Sequence, residues 1–233
     1  MHFIKIPKLN LIVGWNPKVA CTTIFHLLLT KLGHPIQGNI HLDMLTEINL
    51  KSGKYGIYEL NPELVNENIE NYTKICVIRN PYTRLISGIR QRSSFFVHDF
   101  KKLDVSKNTI TEFLENLKTH NYIERHFFPQ TKNLNDLKFD HILEIDDMSK
   151  LYNILDLPYT NKKIGGHDTN YESNHDKFVY YNLTIQDIYD RFNTKWCPNI
   201  NSWFTSDNIK LINELYKDDF DWLHTNGFDY KLE

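Results

Sequence analysis

The stretch "NPKVACTTIF" at residues 16–25 sets one lysine and two threonines between an apolar run, "LNLIVGW", and an apolar helical pattern. A helix N-terminus carries unpaired N–H groups and about half a positive charge, so it attracts phosphate or sulfate. Thr22 and Thr23 fall where the helix begins, so their hydroxyls and backbone N–H groups can surround an oxyanion. Lys18 adds a mobile point charge. An ordinary turn, with a threonine as cap and the lysine in solvent, is the plain alternative.

Spelling tests three other chemistries. A nucleotide P-loop needs G-x-x-x-x-G-K followed by Ser or Thr, and no glycine follows Gly14 in this loop. A dinucleotide fingerprint needs G-x-G-x-x-G, which is missing as well. A Cys-x5-Arg phosphatase nucleophile fails because Leu27 stands sixth after Cys21, which leaves Cys21 as a small packing residue.

A second cluster follows "KICVIR" at 74–79. Arg79 ends that run, and its planar fork suits bidentate phosphate recognition. In "NPYTRLISGIRQR", Asn80 is an N-cap and Pro81 opens a helix. Tyr82, Leu85, Ile86 and Ile89 make one buried face, which sets Ser87 on the opposite face near Arg84 and Gln91. Ligands bind at the carboxyl ends of parallel strands, so Lys18 and Arg79 are expected in one crevice.

The elements that must position these residues are legible in outline. "NLIVGW" (10–15) and "KICVIR" read as buried strands, each feeding a helix directly, and "FDHILEI" (139–145) reads as a third strand. The first helix buries Ile24, Phe25, Leu27, Leu28, Leu29 and Leu32 and ends near Gly33. Further helices are expected over "DDMSKLYNIL", 109–118 and 206–223, while 156–183 reads as loop. Alternating strands and helices predict an α/β fold around a parallel sheet, as a single domain over 1–233.

Composition narrows the partners. The chain has 233 residues, 41% hydrophobic and 24% charged, enough for one sizeable core. A net charge of −2 offers no global field for nucleic acid, so an anion must be gripped locally. Three scattered cysteines without a C-x-x-C, and no H-E-x-x-H among eleven histidines, give no structural zinc or disulfide framework. No signal-like or 18-residue apolar stretch occurs, so a soluble, cytoplasmic, reducing setting is expected; the sequons at Asn71 and Asn182 then carry little weight.

"PKVACT" (17–22) and "VIRNPYTRLIS" (77–87) resemble the two anion motifs of the sulfotransferases, in the carbohydrate sulfotransferase group. "YTKICVIR", "RHFFPQ" (125–130) and the C-terminal "LYKDDFDWL" with "GFDY" extend the likeness over about residues 10–230. The resemblance implies a P-loop-like sulfotransferase fold, a central parallel sheet flanked by helices. It implies a donor, 3′-phosphoadenosine-5′-phosphosulfate (PAPS), and no metal.

By the same resemblance, Pro17, Lys18, Val19, Ala20, Cys21, Thr22 and Thr23 hold the 5′-phosphosulfate, and Arg79 with Ser87 holds the 3′-phosphate. Lys18 would stabilise the leaving oxygen, and His41 or His126 would take the acceptor's proton, with Glu59 a further candidate. The acceptor would be a glycan or another hydroxyl compound. The Golgi members carry a membrane anchor and luminal disulfides, which this sequence does not spell. Two rivals remain: a divergent nucleotide kinase, which needs the missing glycine loop, and a non-catalytic binder of sulfated or phosphorylated glycans.

Overall fold

The computed structural model describes residues 1–34, 36, 69–98, 105–132, 134, 137–160, 170–171, 181–192, 196–197 and 202–230. They fall into two compact units, each assembled from separate stretches of chain: 1–79 with 130–166, and 80–129 with 167–233.

The first unit is built on a four-stranded sheet of β1 (His2–Ile6), β2 (Leu11–Trp15), β3 (Thr73–Ile78) and β4 (His141–Glu144), in that order. β1 runs antiparallel to β2, pairing Ile4 with Val13. β2–β3 and β3–β4 are parallel, with Val13 beside Ile75 and Val77 beside Leu143. Every residue of β2 is buried, as expected for a parallel strand covered on both faces, and this explains its unbroken apolar spelling. Gly14 is required by packing: a Cβ there would lie 2.7 Å from the Met1 sulfur and 3.0 Å from the Phe3 ring.

Helix α1 (Cys21–Leu32) buries Ile24, Phe25, Leu27, Leu28 and Leu29 against the sheet's core, joined by Leu151 and Tyr152 of α4 (Met148–Ile154). Each such side chain stabilises the fold by roughly 1.5–3 kcal/mol relative to exposure. Gly33, at φ 72°, ends α1 as the sequence predicts: its N–H bonds to Thr30 O and that of His34 to Leu29 O. The spacing of the sequence does not announce β1, whose short "HFIKI" run precedes the first expected strand.

The second unit is mainly helical, with one short parallel pair, β5 (Asn170–Tyr171) beside β6 (Trp196–Cys197), so the 156–183 stretch read as loop holds a strand. α2 (Pro81–His98), α3 (Ile110–Thr119), α5 (Ile185–Phe192), α6 (Ser206–Leu215) and α7 (Lys217–Thr225) enclose a core with Phe96, Phe113, Phe127 and Trp203. Asn80 caps α2 as expected, its Oδ1 accepting from the N–H of Tyr82 at 2.9 Å. Thr109, Thr184 and Thr205 begin α3, α5 and α6 with reciprocal bonds to Glu112, Asp187 and Asn208.

A further expectation is corrected here. The single helix over 206–223 is two, broken at Tyr216, where φ is −111°. There the buried hydroxyl donates to Phe127 O at 2.8 Å and the ring packs beside Tyr122. On the face of α2 opposite its apolar stripe, Arg84 is 2% exposed and Ser87 6%, while Gln91 is exposed. Among the described residues no helix is long and apolar enough to cross a membrane.

Candidate functional site

The loop between β2 and α1 is shaped by backbone that side chains normally avoid. Lys18 has φ 74° and Ala20 φ 60°, both left-handed, at a cost of order 1–3 kcal/mol each for residues with a Cβ. A glycine loop reaches this conformation freely; here the same shape is held without glycine. Left-handed residues set into a turn make successive N–H groups converge into an anion-binding concavity. The turn itself closes through Val19 N–H to Asn16 O at 3.3 Å, with Pro17 and Val19 buried.

Ala20 is the N-cap of α1, and no side chain caps the helix, so the threonine-capped turn does not form. The first-turn N–H groups of Cys21, Thr22 and Thr23 therefore sit at the loop with the dipole's positive end. Burial raises the Cys21 thiol's pKa, against a smaller opposite pull from Lys18, which disfavours the reactive thiolate.

The strand β3 delivers Arg79 to the same loop. Arg79 Nη1 donates to the Lys18 carbonyl at 3.1 Å, so the two residues expected to share a crevice do meet. Arg79 itself is positioned by a residue to which the motif spelling assigns no role. Gln130, 1% exposed, accepts from Arg79 N–H through Oε1 at 3.0 Å and donates to Arg79 O through Nε2 at 2.8 Å. One side-chain amide thus continues the strand ladder past the end of β2, on the side that Thr73 N–H also faces in bonding Asn10 O. Asn16 Nδ2 closes the network by donating to Gln130 O at 3.1 Å. Losing Gln130 would leave two buried backbone groups unsatisfied, at about 1–3 kcal/mol each.

Left-handed loop, uncapped helix start, lysine and guanidinium together form a donor set that fits a doubly charged oxyanion. Signals for the supporting residues are present in the sequence: Asn16 precedes the motif, and Gln130 ends "RHFFPQ".

The second unit carries another candidate residue, His126. Asn121, Tyr122 and Ile123 are consecutive left-handed residues (φ 51°, 65° and 57°), held by Tyr122 N–H to Leu117 O and Tyr122 Oη to Leu215 O at 2.6 Å. Such strain persists only where packing over-determines it. The chain emerges into Glu124, Arg125 and His126, and His126 Nδ1 lies 2.8 Å from Glu124 Oε2. Arg84 fixes the segment from α2, donating to Phe128 O at 2.9 Å and His126 O at 3.3 Å. Gly88 admits the Phe127 ring, which lies 2.9 Å from where a Cβ would stand.

Burial pulls the His126 pKa below the usual imidazole range, and Glu124 works in the opposite direction, raising it. Below its usual range the imidazole is neutral near physiological pH and can accept a proton. Ser87 and His126 belong to this second unit, whereas Lys18 and Arg79 belong to the first. His41 and Glu59 lie outside the described residues.

A family profile described as "Sulfotransferase family" matches residues 1–224. No curated protein and no solved structure matches the chain. The profile spans nearly the whole length, including the cradle at 16–23, Arg79 and the 125–130 segment. The chain therefore belongs to the sulfotransferase family and is a transferase that moves sulfuryl groups.

Proposed function

We propose that the protein transfers a sulfuryl group from PAPS to a carbohydrate hydroxyl. The observation that carries the reading is the bond from Arg79 Nη1 to the carbonyl of left-handed Lys18. It ties the residue expected at the 3′-phosphate to the loop expected at the 5′-phosphosulfate. The carbohydrate acceptor rests on the motif spelling.

PAPS, when bound, supplies a sulfuryl group already attached to a good leaving phosphate. The chain's own contribution is positioning and charge, which dominate catalysis of in-line displacements of this kind. Thr22, Thr23 and the first N–H groups of α1 hold the 5′-phosphate, and Lys18 neutralises charge growing on the bridging oxygen. Arg79 and Ser87 hold the 3′-phosphate. His126 accepts the proton of the acceptor hydroxyl, a task its lowered pKa suits.

Transfer of label from sulfur-labelled PAPS across a panel of glycans, peptides and small alcohols tests the reading. Label should appear on a glycan hydroxyl and diminish with His126→Asn. Labelling of peptides or small alcohols alone would remove the carbohydrate assignment.

A further inference from the structure

We propose that Glu124 is the positioning residue for His126, accepting its Nδ1–H and thereby making Nε2 the proton-accepting atom, with Arg92 anchoring Glu124 from behind. The proposal rests on the reading of His126 as the base. Its geometry is independent of that reading. Glu124 Oε2 lies 2.8 Å from His126 Nδ1, and its other oxygen, Oε1, lies 3.4 Å from Arg92 Nε. Glu124 and His126 side chains are each only 14% exposed. Arg92 is itself held over the Phe95 ring, 4.1 Å from its centroid.

An imidazole whose Nδ1 proton is committed to a carboxylate keeps its lone pair on Nε2. The acceptor's proton then goes to Nε2 while the acceptor oxygen bonds to sulfur. The phosphate oxygen departs with the S–O electron pair. The imidazolium so formed faces a carboxylate, and its proton later passes to solvent. The left-handed turn at 121–123 and the grip of Arg84 on His126 O hold the pair in register. Among the described residues, the charged groups around the imidazole are Glu124 and Arg125 on its own segment, with Arg92 and Arg84 from α2.

Nitrogen-15 NMR of the histidine rings reads this without donor or acceptor. In the wild-type protein above its pKa, His126 should carry its proton on Nδ1; a proton on Nε2 overturns the proposal. Glu124→Gln removes the group that raises the His126 pKa, so the titration should move down. Arg92→Gln removes a cation that lowers it, so the titration should move up. Variants that leave the titration in place, or move it in one shared direction, overturn the proposal, because a carboxylate and a guanidinium packed beside the imidazole must shift it in opposed senses.

Turnover then tests the base itself. Glu124→Gln should lose about tenfold or more of the ~10²–10⁴-fold that a positioned base supplies, and its acid limb should follow the NMR titration. A titration that moves while the rate limb stays fixed overturns His126 as the base, separately from the Glu124–His126 link.

Discussion

The β2–α1 loop in the first unit and the 121–128 segment in the second solve one problem in different ways. Both run through left-handed residues without glycine, and both are fastened by an arginine donating to backbone carbonyls. In the cradle the arginine arrives at the end of a neighbouring parallel strand, so two local motifs at strand–helix junctions suffice to place it. In the 121–128 segment the fastening comes from a buried helix, a distant tyrosine hydroxyl and a ring seated on a glycine. The contacts at the strand ends are thus assembled locally, whereas the histidine's surroundings are assembled by packing. Substitutions in the two regions should therefore fail differently.

The largest effect is expected at the cradle's charge. Lys18→Ala should lower turnover by ~10²–10³, the usual size for one lost electrostatic contact to developing charge. Its urea midpoint should barely move, because the lysine is only partly buried. An equal loss of stability and turnover would erase the distinction between the regions.

The second region should show the reverse. Arg84→Met removes two charge-assisted bonds from a side chain that is 2% exposed. A stability loss of ~2–4 kcal/mol is expected by chemical denaturation, with donor affinity kept in the folded protein. A neutral outcome would show that Arg84 does not fasten the segment.

Strain can be measured directly in the cradle. Ala20→Gly, at φ 60°, should stabilise by ~0.5–1 kcal/mol, because glycine enters the left-handed region without a Cβ penalty. Destabilisation of that size would mean that the left-handed geometry is not what strains this loop.

The smallest effect concerns the helix starts. The Thr184 hydroxyl, then its backbone N–H, holds the Asp187 pKa below the usual carboxylate range. A depressed carboxylate stabilises the fold above its unfolded pKa, and that share is lost as pH falls through the folded value. Thr184→Ala should therefore cost ~1 kcal/mol at neutral pH. The gap to wild type should narrow as pH falls below the ordinary aspartate value of about 3.9 and through the depressed folded value. A gap that stays constant with pH would remove Asp187 from the cap.

These contrasts also explain what the sequence made legible. Buried parallel strands, α1 with its Gly33 stop and the Asn80 cap were readable because each depends on neighbours within a turn or two. That Lys18 and Arg79 meet was readable for the same reason, since both stand at strand–helix junctions. Helix α5 escaped notice although Thr184-x-x-Asp187 spells a capping pair, because a short helix beside a polar stretch shows little periodicity. Gln130, Glu124 and the burial of Arg84 and Ser87 depend on partners tens of residues away, or on packing around α2, which no spacing rule reports.

The central claim is that the Arg79–Lys18 cradle recognises a nucleotide bearing both a 3′- and a 5′-phosphate. Calorimetry on wild type and Arg79→Ala, with 3′-phosphoadenosine-5′-phosphate and with adenosine 5′-phosphate, tests it most directly. Wild type should prefer the doubly phosphorylated ligand without added magnesium, and Arg79→Ala should lose about one to two orders of magnitude of that preference, equal to ~1.5–3 kcal/mol. Equal affinity of the wild-type protein for the two ligands, or a preference unchanged by the substitution, would contradict the account.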